Sequence, residues 1–147
     1  MQCRCYKIIM YTYQATIKNI IDGDTVEIDL DLGFNVVLSK LKIRMEGIDT
    51  PESRTTNQEE KIRGLLSKKK LQDKLPINKT VKIITTKSES DDKFGRILGT
   101  FILEDGTNVN KWMVENNYAV KYNGQNKKLV IEAHETNRKI LVQRGEI

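Results

Sequence analysis

Histidine and cysteine are almost missing from this chain of 147 residues: His134 is the sole histidine, and Cys3 and Cys5 are the two cysteines. Cysteines one residue apart are poorly placed to bridge each other, and no third is present to pair with either, so a disulfide framework is excluded. They read as two free thiols in a frayed terminus. A single histidine also excludes a Cys/His zinc framework. It excludes a histidine-dependent triad or a histidine–metal nuclease as well, unless Tyr or Lys substitutes. Long apolar runs are equally absent, and nothing approaches the roughly 18 residues a membrane-spanning helix needs. The stretch Ile8-Ile9-Met10-Tyr11 is too short for the apolar region of a signal peptide. A cytoplasmic location is therefore the default expectation, with Met10 an alternative start and no membrane partner.

What is present fits one globular domain: 38% hydrophobic and 31% charged residues, in a chain long enough for one core. We expect an N-terminal extension over residues 1–12, a single domain over 13–147, and a monomer. The net charge of +5 is unevenly spread: residues 1–60 carry −3 and residues 61–147 carry +8, of which +7 lies in 61–96. Basic charge gathered on one part of a domain suits a polyanionic partner, although a solvated Lys-rich helix gives the same count.

Alternation of apolar and polar residues marks strands. Tyr13, Ala15 and Ile17 alternate with Gln14, Thr16 and Lys18; Val26, Ile28, Leu30 and Leu32 alternate with Glu27, Asp29 and Asp31. Gly33 and Asn35 mark a turn. Leu41, Ile43 and Met45 then point inward, which sends Arg44 to the opposite face. Gln58 to about Lys74 reads as a helix that places Ile62, Leu65 and Leu66 on one side, is weakened by Gly64 and is stopped by Pro76. Residues 81–86 and 96–103 read as strands, the second apolar on both faces and so expected to be buried on both. Val109, Trp112 and Met113 have the spacing of a short helix, with Trp112 in the core. Residues 128–142 read as a last helix with a stripe of Leu129, Val130, Ala133, Ile140 and Leu141. His134 falls outside that stripe and reads as a surface histidine. The order predicts an α+β fold: a five-stranded OB-type β-barrel with about three covering helices, a fold that often presents one face to oligonucleotides.

Three short segments concentrate the polar chemistry: Ile21-Asp22-Gly23-Asp24-Thr25-Val26, then Arg44 followed after four residues by Asp49-Thr50-Pro51-Glu52, then Asp92-Lys93-Phe94-Gly95-Arg96. Carboxylates suit a hard cation, and planar guanidinium groups suit bidentate contact with phosphate. Taken singly, Asp24 reads as a hairpin turn residue, Glu52 as an exposed loop glutamate and Arg96 as a surface turn residue.

In this order and spacing the three segments resemble the signature of the staphylococcal nuclease family, over about residues 14–122 with a helical continuation to about 142. The resemblance implies a Ca²⁺-dependent nuclease that hydrolyses phosphodiester bonds in DNA and RNA, favouring single-stranded or unpaired regions, with little sugar selectivity and 3′-phosphate ends. It implies Asp24, Asp49 and the Thr50 carbonyl as metal ligands, Glu52 as general base, and Arg44 and Arg96 as phosphate clamps. Asp22 serves the turn or the outer shell of the ion. Lys93 matches a phosphate-contacting lysine, Phe94 departs from the commoner tyrosine, and Tyr122 lies one place from a substrate-contacting tyrosine. The alternative is a catalytically silent nucleic-acid-binding module of the same fold.

Overall fold

The computed structural model describes residues 9–87 and 97–147. Cys3, Cys5, Lys93, Phe94 and Arg96 lie outside the described residues. Five strands close into a barrel in the order β1-β2-β3-β6-β5: β1 (Ile9–Asp22), β2 (Thr25–Asp31), β3 (Val37–Met45), β5 (Thr80–Lys87) and β6 (Ile97–Ile102). Neighbours are antiparallel except β3 and β6, which run parallel from Ile43 opposite Ile97 to Met45 opposite Gly99. The barrel holds its own core, in which Ile17, Ile28, Ile43, Ile83 and Phe101 are fully buried. Each such side chain contributes about 1.5–3 kcal/mol by leaving water. Three helices cover it: α1 (Gln58–Lys74), α2 (Val109–Glu115) and α3 (Lys127–Gln143).

The alternations along β2 and the end of β3 hold, with Val26, Ile28, Leu30, Ile43 and Met45 all buried. Strand β1 begins at Ile9, earlier than its alternation suggests, because it pairs with β5 from Ile9 opposite Lys87 onward. Strand β6 does not fit the expectation of burial on both faces. Gly99 and Phe101 are buried, whereas Ile97, Leu98 and Ile102 are only half-buried. A closed barrel has one interior, so its strands alternate in burial even where the sequence is apolar throughout. Trp112 packs against the core as expected, its ring 5.7 Å from that of Tyr118 and capped by the Lys74 ammonium at 4.6 Å.

Helix α1 has the expected bounds. Asn57 caps its start by accepting a hydrogen bond from the Glu60 N–H, and Pro76 follows its end. Its inward face is only partly the expected one. Leu66 packs against the core, and Gly64, Ser67 and Leu71 are buried, while Ile62 and Leu65 are about half exposed. Small residues form the contact because the helix lies directly on the backbone of the preceding loop: a Cβ at Gly64 would sit 2.3 Å from the Glu52 carbonyl oxygen. Gly23 makes a second close approach, where a Cβ would come within 2.8 Å of Ser67 Cβ. The Ser67 hydroxyl donates to the Tyr118 carbonyl oxygen at 2.6 Å. Gly64 is thus required by packing rather than tolerated as a weak helix residue.

Two strands were too short to show a period. β4 (Ile48–Asp49) and β7 (Val120–Lys121) pair antiparallel, with Asp49 opposite Val120, in a separate two-stranded sheet. Helix α3 backs β7: the Asn137 side-chain amide donates to the Ala119 carbonyl oxygen at 3.1 Å and accepts from the Asn117 amide at 3.0 Å. Its buried side also differs from expectation. Val130 and Leu141 are buried, but Leu129 is 56% exposed. The inward stripe is Val130, His134, Asn137 and Leu141, spaced i, i+4, i+7 and i+11 as one helix face requires.

Gly64→Ala supplies the test of the α1 contact. Helix propensity alone would stabilise the helix by about 1 kcal/mol. Overpacking against the Glu52 carbonyl should outweigh that gain and leave the variant about 1–3 kcal/mol less stable than native. Urea denaturation decides the sign; a more stable variant would show that α1 can move away from the loop without loss.

Candidate functional site

Asp24 occupies the turn between β1 and β2, and its side chain is held rather than left in solvent. The residue is 8% exposed. Its Oδ2 accepts from the Thr50 N–H at 3.1 Å and its Oδ1 accepts from the Thr25 hydroxyl at 3.0 Å. The backbone fixes the same turn, since the Met45 N–H donates to the Asp24 carbonyl oxygen at 2.8 Å. Burial raises the Asp24 carboxyl above the ordinary aspartate range. Arg44 and the Thr50 N–H work against that rise, and the charge of Asp49 adds to it.

Arg44 lies near the end of β3, on the face away from the core residues Ile43 and Met45, as its place in the alternation predicts. Its side chain is nonetheless only 13% exposed, because two carboxylates enclose it. Nη1 lies 3.3 Å from Asp24 Oδ2, and Nη2 lies 3.3 Å from Asp49 Oδ1. One guanidinium therefore bridges two carboxylates from separate elements, the β1–β2 turn and β4. Its planar fork allows this where a lysine ammonium would offer one point of charge.

Residues 50–53 run over α1 and carry Glu52. Their course is fixed on both sides. Asp22, at the end of β1, accepts from the Ser53 N–H at 3.3 Å and from the Ser53 hydroxyl. This gives the first Asp of the turn segment a tethering role. On the other side Gly64 lets α1 close on the Glu52 carbonyl. The Glu52 side chain itself is exposed. Partial desolvation, followed by repulsion from Asp22, Glu60, Asp24 and Asp49, holds its carboxyl above the ordinary glutamate range.

These shifts bear on whether a cation suits the site. Asp24 titrates high chiefly because it is buried, with Arg44 outweighing the repulsion from Asp49, whereas Glu52 is raised by partial desolvation and then by neighbouring carboxylates. One guanidinium faces two carboxylates here, and a hard divalent ion takes oxygen donors of that kind. Among the described residues no group of three or more His, Cys, Asp or Glu side chains forms a metal cage. The carboxylates gathered about Arg44 are those of Asp24 and Asp49. The Thr50 hydroxyl faces Gly23, 3.0 Å from where a Cβ would lie, and has no hydrogen-bond partner among the described residues.

Two further residues bear on the site. Tyr122 follows β7, its N–H donating to the Gly47 carbonyl oxygen at 2.8 Å and its side chain 42% exposed. That places it beside the strand bearing Asp49. His134 corrects an expectation. It is not a surface histidine: its side chain is 14% exposed and its Nε2 lies 2.8 Å from Asp49 Oδ2. Its distance of four residues from Val130 and seven from Leu141 was the available signal, obscured by giving Leu129 a place in the stripe.

The family model for staphylococcal nuclease homologues matches residues 42–143. The chain is 37% identical over 117 residues to endonuclease YhcR of Bacillus subtilis (strain 168), covering 75% of this chain and 9% of that protein. It is 27% identical over 119 residues to the succinoglycan biosynthesis protein ExoI of Rhizobium meliloti (strain 1021), covering 80% of this chain and 57% of that protein. The chain thus spans only part of the length of either relative. A match over residues 42–143 takes in Arg44, Asp49, Glu52 and all three helices, and the chain belongs to the staphylococcal nuclease homologue family.

Proposed function

We propose that this chain is a Ca²⁺-dependent nuclease that hydrolyses phosphodiester bonds in DNA and RNA and leaves 3′-phosphate ends. The observation that carries this reading is the convergence of Asp24, Asp49 and Arg44 from three elements, beside a loop that holds Glu52 at a raised pKa. Family membership and the endonuclease relative support nuclease activity.

In this reading Asp24, Asp49 and the Thr50 carbonyl would hold the ion, which when bound would polarise a phosphoryl oxygen of the substrate toward attack. Glu52 takes a proton from a water whose oxygen bonds to phosphorus; the bond from phosphorus to the 5′-oxygen breaks, and the leaving oxygen takes up a proton. A base with a raised pKa is a better proton acceptor. Arg44 offsets part of the charge of the paired carboxylates and, with Arg96, donates to the phosphoryl oxygens as their charge grows. Phosphate and ion carry the recognition, so sugar selectivity is low, and Lys93 and Tyr122 add contacts to the strand.

The competing reading is a silent binding module. Binding alone has no need for two carboxylates bridged by a guanidinium, with a third carboxylate raised beside them. Those features favour catalysis.

Degradation of single-stranded DNA and of RNA should require Ca²⁺, with Mg²⁺ a poor substitute, because Mg²⁺ demands tighter octahedral geometry than two carboxylates and a carbonyl supply. Full activity in chelator, or equal activity in Mg²⁺, would remove the assigned ion; tight oligonucleotide binding with no cleavage under any metal would favour the silent module.

Asp49→Ala should abolish measurable Ca²⁺ binding, whereas Thr50→Ala should change it little, since its carbonyl remains and its buried hydroxyl has no partner to lose among the described residues. Isothermal titration of both variants makes the comparison. Equal losses would show that the Thr50 side chain, or the loop shape it maintains, matters more than its main chain.

Glu52→Gln should lower turnover at saturating substrate by about 10²–10⁴-fold while leaving Ca²⁺ affinity near native. Lys69→Ala, on the exposed side of α1, is the control and should weaken substrate binding only modestly and at low salt. Near-native turnover in Glu52→Gln would place the base elsewhere.

A further inference from the structure

We propose that His134 is a positioning residue for Asp49, through which α3 sets the orientation of a carboxylate that the proposed function, on which this inference rests, assigns to the metal. Three observations meet here. The ring lies on the inward face of α3 between Val130, Asn137 and Leu141, so its place follows from how that helix docks. It also lines a small cavity with Pro51, Arg63, Ser67 and Asn137. Its Nε2 reaches Asp49 Oδ2 at 2.8 Å. An ionised carboxylate only accepts, so the ring nitrogen donates, and the hydrogen bond satisfies a largely covered donor.

The arrangement divides the Asp49 carboxylate between two donors. Arg44 takes one lone pair on Oδ1 at 3.3 Å and His134 takes one on Oδ2. Each oxygen has two lone-pair sites, so both retain one for a ligand. Held at both oxygens, the group loses the rotation that would otherwise have to be frozen when an ion binds. Hydrogen-bond partners of a ligating carboxylate typically change metal affinity by about 10–100-fold. The β4–β7 pairing fixes the Asp49 backbone from one side, and His134 fixes its side chain from the other. The chain's one histidine is thereby given a role that leaves proton transfer to Glu52.

His134→Leu removes the donor, and His134→Gln keeps an amide N–H of similar reach. Calorimetric titration with Ca²⁺ alone, in the absence of nucleic acid, should show about tenfold weaker binding in His134→Leu and recovery toward native in His134→Gln. Thermal unfolding checks that both variants are folded. In the metal-free protein the His134 ring ¹⁵N resonances should move on Asp49→Asn, which reads the contact independently of any metal. Native Ca²⁺ affinity in folded His134→Leu, equal weakening in both variants, or ring resonances unmoved by Asp49→Asn would each overturn the positioning role without touching the nuclease assignment. A native chain that cleaves nucleic acid yet binds no Ca²⁺ would overturn the ion assignment and this inference together.

Discussion

The geometry around the site depends on one guanidinium held between two carboxylates. Asp24 arrives from the β1–β2 turn of the barrel and Asp49 from the separate β4–β7 sheet, with charges of the same sign. At short range in a largely covered environment such charges repel by on the order of several kcal/mol unless something lies between them. Arg44 does so with both arms of its fork. The strand that carries it is paired on both sides, with Arg44 opposite Thr25 in β2 and opposite Leu98 in β6. The cation therefore comes from a strand held on both sides, and the two anions are arranged about it. Breaking one side of such a contact leaves an uncompensated buried charge, which is far costlier than the net worth of the pair.

The second constraint is steric. Residues 50–53 are clamped between the end of β1 and the start of α1, and both clamps use missing atoms. Gly23 admits the Ser67 and Thr50 side chains, and Gly64 admits the Glu52 carbonyl. Capping at Asn57 then sets where α1 begins. The exposed Glu52 carboxylate consequently rises from a backbone that has little freedom, a favourable foundation for a group that acts on water.

Much of this was legible in the sequence, and the parts that were not share a cause. Strand alternation identified the core-facing residues of β2 and β3, and it sent Arg44 to the opposite face. The bounds of α1 followed from Gln58 onward to the stop at Pro76. Facing was harder wherever contacts are made by small or polar side chains. Gly64 and Ser67 carry the docking of α1, so a search for large apolar residues selected the exposed Ile62 and Leu65 instead. The same bias gave Leu129 to the buried stripe of α3 and left His134 outside. Strands β4 and β7 have two residues each, too few for any period, yet their pairing is what brings Asp49 beside residues distant in sequence. Strand β6 misled in the opposite direction, since barrel closure decides which of its apolar residues are enclosed.

The β4–β7 pairing also has a temporal side. Asp49 sits in the first third of the chain, but the strand it pairs with and the helix that backs that strand come from the last third. Contacts so far apart in sequence carry a large loop-closure cost, because the intervening chain must be ordered before they can reward its loss of freedom. During synthesis the barrel strands leave the ribosome first, with Asp24 and Arg44 already among them. The acidic pair remains half-built until α3 emerges and folds back, so the complete centre is a property of the finished domain and not of its growing precursor.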